Sequence, residues 1–182
     1  ASIGHVALYN ASGGEVVSGS LSDLAGAMYA VASNSARSGA TNARLLAAVP
    51  DSAASSGSWA TGPLSAATAF PVAPGTGIPS VVTNAAGPVV TLNGTSDGDL
   101  ATFLKGATLD STSGYAGYVQ LRVVDSGGSL SAATTWATLE IAVDAAAGTW
   151  QQVFPVPTPT TTSISAPSFN PASVSSGTQV RL

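Results

Sequence analysis

Residues 118–153, YVQLRVVDSGGSLSAATTWATLEIAVDAAAGTWQQV, hold three runs in which apolar and polar side chains alternate. A strand points successive side chains to opposite faces, so a period of two in β-branched and aromatic residues suits a half-buried sheet. Val119, Leu121 and Val123 share one face of the first run; Leu139, Ile141 and Val143 share one face of the second; Trp150 opens the third. Between the runs, Asp125-Ser126-Gly127-Gly128 and the stretch 144–148 supply residues that reverse a chain easily. The pattern predicts an antiparallel meander at the centre of a β-sandwich. Its buried side should come chiefly from the C-terminal half of residues 1–153.

Composition narrows the function classes. Apolar residues make up 45% of the 182, much of it alanine, yet only 8% are charged, against about 25% in a typical soluble domain. Ser, Thr, Gly, Asn and Ala must therefore cover the surface, as they do in many secreted and cell-surface β proteins. The net charge is −4, and the five basic residues, Arg37, Arg44, Lys105, Arg122 and Arg181, are dispersed. Nucleic acids and anionic membranes draw their affinity from cationic patches, so neither is an expected partner. No cysteine is present, which excludes disulfides, thiolate zinc sites and a cysteine nucleophile. No apolar run approaches the ~20 residues of a membrane-spanning helix. The small residues Ala1-Ser2 at the start suit a mature exported chain, and equally a piece excised from a longer one.

Taken in order, IGHVALY (3–9), the turn cluster Asn10–Gly14 and a return over 15–18 predict a hairpin. Asn10-Ala11-Ser12 and Asn93-Gly94-Thr95 match the glycosylation sequon, and both lie where turns place asparagine anyway. Residues 21–32 read as a short helical turn, with Ser22 placed to cap it, leading into a strand. A strand follows over 42–49, stopped by Pro50-Asp51. The span 52–88 is rich in Ser, Ala, Gly and Pro, with Trp59, Leu64 and Phe70 pinning it to the sandwich. Residues 81–83 and 89–92 read as strands. Residues 97–110 form a loop or one-turn helix with Leu100, Phe103 and Leu104 on its apolar side.

Beyond Phe154, Pro155, Pro157 and Pro159 alternate with other residues to give an extended, semi-rigid spacer. The expected organisation is a sandwich domain over 1–154, a Pro/Thr-rich linker over 155–161, and a further unit from 162. Thr162, Ser163, Ile164, Ser165, Pro171, Val174, Gly177, Thr178, Val180 and Leu182 resemble the opening strands of bacterial immunoglobulin-like repeats. The resemblance implies that 162–182 are the initial strands of a second, incomplete immunoglobulin-like domain. The segments 37–46, 114–122 and 148–150 resemble an uncharacterised β module of exported actinobacterial proteins that precedes such repeats. It implies location and architecture but no activity. The fold class expected is all-β: an antiparallel sandwich, immunoglobulin-like or related, with long loops and at most one or two short helices.

Chemistry-bearing residues are sparse. His5, the only histidine, lies in an apolar strand, and no serine sits in a Gly-x-Ser-x-Gly elbow. Asp97, Asp99 and Asp110 are near one another in sequence and could be read as paired acids or calcium ligands. They lack the ligand ladder of an EF-hand, and turn closure is the ordinary role of such residues. Trp59, Tyr115, Tyr118, Trp136 and Trp150 are candidates for a carbohydrate platform. Trp136 alternates with Thr138 and Glu140 on the face opposite Leu139, where long loops are expected to cover it. No catalytic residue, metal or cofactor is expected, and no ligand-binding residue is assigned. The reading is a non-enzymatic extracellular or cell-surface structural or adhesive module whose partners are other proteins or copies of itself, assembled in an array or filament. The alternatives are a carbohydrate-binding module and a phage or virion surface protein.

Overall fold

The computed structural model describes residues 1–126 and 135–159. Among them eleven strands form: β1 (Ser2–Tyr9), β2 (Glu15–Val16), β3 (Ser18–Ser20), β4 (Tyr29–Ala32), β5 (Asn42–Ala48), β6 (Thr61–Pro63), β7 (Thr68–Ala69), β8 (Val89–Thr91), β9 (Tyr118–Ser126), β10 (Trp136–Asp144) and β11 (Thr149–Phe154). Two short helices accompany them, α1 (Ser80–Thr83) and α2 (Leu100–Lys105), with single 3-10 turns at Leu24–Gly26 and Ser56–Ser58. The chain is all-β, as expected. The strands join in the order β6-β5-β9-β10-β1-β4-β8, with β11 on β10 and β3 on β11.

The expected meander is the centre of this sheet. In β9 and β10, Leu121 pairs with Leu139 and Val119 with Ile141; in β10 and β11, Val143 pairs with Trp150. Leu121, Leu139, Ile141 and Val119 are wholly buried, and Val143 packs against them half-buried. On the other flank β5 pairs antiparallel with β9, bringing Leu45 and Ala47 to the same side.

One expectation needs correction: the sheet is mixed. The first half of β1 runs parallel to β10, from Ser2 opposite Trp136 to His5 opposite Thr138. Its second half, from Val6, leaves that neighbour and pairs antiparallel with β4 and β2. A register shift between Ser2 and Gly4 precedes the switch, with Ile3 turned outward. Gly4 is needed there because a Cβ would lie 2.9 Å from the Asn34 side chain. A strand that changes partners in this way makes a corner, and a sandwich-like core forms between the two sections. Periodicity alone reports which face a strand buries, not the direction of its neighbour, so the parallel pair left no trace in the pattern.

A second correction concerns residues 81–83, read as a strand. They form α1, in which Val82 and Thr83 donate to the Pro79 carbonyl and Asn84 donates to Ser80. Valine favours strands because it fits a pleated, half-buried surface. Here burying Val82 in the core decides the conformation of a segment too short for propensity to rule. The core also draws on the whole domain: Val6, Leu8, Leu21, Leu24, Leu45 and Phe70 are buried along with the later residues. The expectation that the C-terminal half chiefly supplies it is therefore overturned. The physical reason is that a sheet face needs an opposing layer of comparable area, and the earlier segments provide it.

Residues 52–88, read as a Ser/Ala/Gly/Pro-rich connection, also hold β6 and β7, because backbone pairing with β5 orders them where apolar surface is scarce. The remaining elements agree with the sequence reading. β1 and β2 form the N-terminal hairpin, closed by Asn10, whose Oδ1 accepts from the amides of Ser12 and Gly14. The turn at 24–26 precedes β4, but its cap is Asp23, accepting from the Ala25 amide, rather than Ser22. α2 buries Leu100 and half-buries Phe103 and Leu104. Pro155 onward leaves the sheet edge, with its carbonyl accepting from Gln152 Nε2 at 2.6 Å. The residues likened to an immunoglobulin-like opening, 162–182, lie outside those described.

Candidate functional site

The faces of β5, β9 and β10 that point away from the core carry Arg44 and Leu46, then Gln120, Arg122 and Val124, then Trp136, Thr138 and Glu140. This follows from the alternation, since Ala43, Leu45, Leu121, Val123, Ala137 and Leu139 all point inward. A bare outer face would leave Trp136 in water; instead it is 5% exposed. The loop over residues 50–60 lies across this face, as the sequence reading expected, so Trp136 is outside the main core but covered.

Arg122 fastens the loop to the sheet. Its guanidinium carbon stands 3.9 Å from the centre of the Trp136 ring and 5.4 Å from that of Trp59. Its Nε donates to Gln120 Oε1 at 2.6 Å, and Nη2 donates to the Ser56 carbonyl of the loop at 2.7 Å. Gln120 Nε2 in turn donates to Glu140 Oε1 at 3.2 Å. The nearest carboxylate in this chain of bonds is thus one side chain removed from the guanidinium. Burial without an adjacent counter-charge pulls the Arg122 pKa down to about 10. Attraction to the electron-rich ring faces offsets part of that desolvation. The indole N–H of Trp59 donates to the carbonyls of Asp51 and Ala54, closing the loop on itself.

Trp59 separates two open clefts. One, of about 320 Å³, is lined by Arg44, Thr61, Arg122 and Trp136 with Trp59 as a wall. The other, of about 470 Å³, is lined by Tyr115, Tyr118, Gln120, Glu140 and Phe154 with Trp59 on its other side. Four of the five aromatic candidates therefore meet on one face. Trp150 does not: it is buried in the core and donates from Nε1 to the Ser20 carbonyl.

The aspartates read as a calcium group serve three separate turns. Asp97 Oδ2 accepts from the Asn93 amide at 2.8 Å. Asp99 caps α2, accepting from the Thr102 amide at 3.0 Å and its hydroxyl at 2.6 Å. Asp110 accepts from the amides of Ser52 at 2.6 Å and Thr112 at 2.7 Å, tying down the start of the 50–60 loop. Hydrogen bonds to the ionised form hold the Asp99 and Asp110 carboxyls below the usual carboxylate range, Asp110 far below. Among the described residues no group of three or more His, Asp or Glu gathers at one point. His5 lies exposed at the surface, with its ring edge-on to Phe154 at 5.2 Å.

Sequence reasoning found the aromatic members of this face and missed the arginines. A signal was present, because Arg122 occupies the polar position between Leu121 and Val123 in a strongly alternating strand. Nothing in one dimension says that the outer face is covered as well, so the position reads as an ordinary solvated charge. Comparison with family models, with known proteins and with solved structures gives no match.

Proposed function

We propose that residues 1–154 are a non-enzymatic structural or adhesive module of an extracellular or cell-surface protein. One observation carries the reading: eight of the nine carboxylates accept hydrogen bonds within the fold. Seven of them cap turns, close loops or pair with Arg37, and Glu140 accepts from Gln120 across β9 and β10, so these carboxylates serve as structural fasteners. The low charge and the Pro-rich segment after Phe154 support a unit set in a longer array. Strand addition between copies is a poor route to assembly, because the strands with one free edge, β2, β3, β6, β7 and β8, are two or three residues each. Contacts to partners would use a face.

Antibody against residues 1–154 should stain intact cells of the source organism, and the purified domain should turn over no glycoside, ester or peptide substrate. Staining that requires permeabilised cells would overturn the location, and measurable turnover would overturn the non-enzymatic assignment. A second reading, a carbohydrate-binding module, is favoured by the convergence of Trp59, Tyr115 and Tyr118 beside the polar Gln120 and Glu140, since sugar rings stack on aromatic faces while polar groups orient their hydroxyls.

A further inference from the structure

Two residues lining the smaller cleft on the outer face, Arg44 and Trp136, hold buried donors that no hydrogen bond uses. Trp136 is 5% exposed, yet among the described residues its indole Nε1 has no hydrogen-bond partner, and Nε of Arg44 is also buried without one. Leaving a buried donor unpaired is costly, so native structures keep few of them and each calls for an explanation. Arg44 and Arg122 both line this cleft, and no carboxylate is among its lining residues. Of the five basic residues, two are thus gathered in one opening of a chain whose net charge is −4. Arg37, by contrast, is paired with Asp125 at 3.0 Å.

Two cations and a spare N–H make a site for a group that only accepts. A carboxylate or a sulfate ester meets that description: each offers several acceptor oxygens and a negative charge, and guanidinium groups bind both. Trp59 forms the wall shared with the aromatic cleft, so a ligand engaged at the arginines can continue as a ring over Tyr115 and Tyr118. We propose that this face binds an acidic saccharide, with its oxyanion between Arg44, Arg122 and Trp136 Nε1 and its neighbouring sugar over Trp59. The proposal rests on the carbohydrate-binding reading of the same face and adds the charge and placement of the ligand.

The three tryptophans give the test an internal control. Oligogalacturonate, a dextran sulfate oligomer, neutral dextran and polyacrylate are each titrated into the whole 182-residue chain while the three indole N–H resonances are followed. The Trp136 resonance should shift with the uronate or the sulfated sugar, and that of Trp150, already bonded to Ser20, should stay in place. Which acidic sugar shifts it identifies the oxyanion. Arg44→Gln should weaken that binding roughly tenfold or more, while Arg44→Lys, which keeps the charge but loses the fork, should recover part of it. Arg44 is partly exposed, so its variants are expected to fold, and an unchanged Trp150 resonance verifies that they do. Equal response to polyacrylate overturns the saccharide, and equal binding to neutral dextran overturns the oxyanion site while leaving a carbohydrate platform. Binding to none of the four overturns both. Binding that Arg44→Gln leaves intact overturns the assigned position.

Discussion

Arg122 shows how a single side chain can carry a layer of structure. Its stem and planar head fill the space between Trp136 and Trp59, while its N–H groups satisfy Gln120 and the Ser56 carbonyl. Truncation would remove that packing and leave two acceptors unpaired, whereas no longer having to desolvate a cation acts in the opposite direction. The first two effects outweigh the third because the unpaired acceptors stay beneath the loop. Arg122→Ala should therefore lower unfolding free energy by about 2–4 kcal/mol in urea denaturation. A loss below about 1 kcal/mol would show that the loop is not fastened through this residue. In the main core, Leu121→Ala should cost about 3–5 kcal/mol, since Leu121 is wholly buried opposite Leu139. A much smaller loss would mean that the two sheet sections collapse around the vacancy.

The elements meet at positions where a side chain would not fit. Gly87 stands just before β8, and a Cβ there would run into the backbone carbonyls of Ala32 and Asn34. Backbone cannot swing aside as a flexible side chain does. Gly87→Ala should consequently push β8 from β4 and destabilise by about 1–3 kcal/mol, read as a lowered midpoint in thermal unfolding and as faster amide exchange at Ala30 and Ala32, whose amides face β8. Unchanged exchange at those amides would overturn the account. The 50–60 loop is an element of the same kind, held at its start by Asp110 and further along by Arg122. It covers one sheet face without contributing a strand of its own to that cover.

At the scale of the whole molecule, Asp99 and Asp110 give stability a dependence on acid. Both have folded-state pKa values below the ordinary 3.8, so the folded state favours their ionised forms. Their contribution is fully present above the ordinary carboxylate range and is lost as pH falls through that range toward the lower folded values. The melting temperature should be insensitive to these two groups near neutrality and fall below about pH 4. Asp110→Asn should lower it at pH 7 and flatten the decline in acid, with the change in Trp59 fluorescence marking release of the loop. An Asn variant with the same acid slope as the parent would place the titration elsewhere.

Much of the architecture was legible from alternation and punctuation alone. Strands β9, β10 and β11, the hairpin at Asn10, the turn before β4 and the apolar side of α2 all followed from side-chain period and turn residues, which act over a few positions. The chain by itself also determined that its surface would be nearly uncharged. Tertiary structure alone decided that β1 runs parallel to β10, that residues 80–83 coil rather than extend, and that Arg44, Arg122, Trp59 and Trp136 share a cleft. Those outcomes depend on which strands become neighbours and on what covers the second face of a sheet. Such choices are made by burial summed over distant segments, and no local pattern records them.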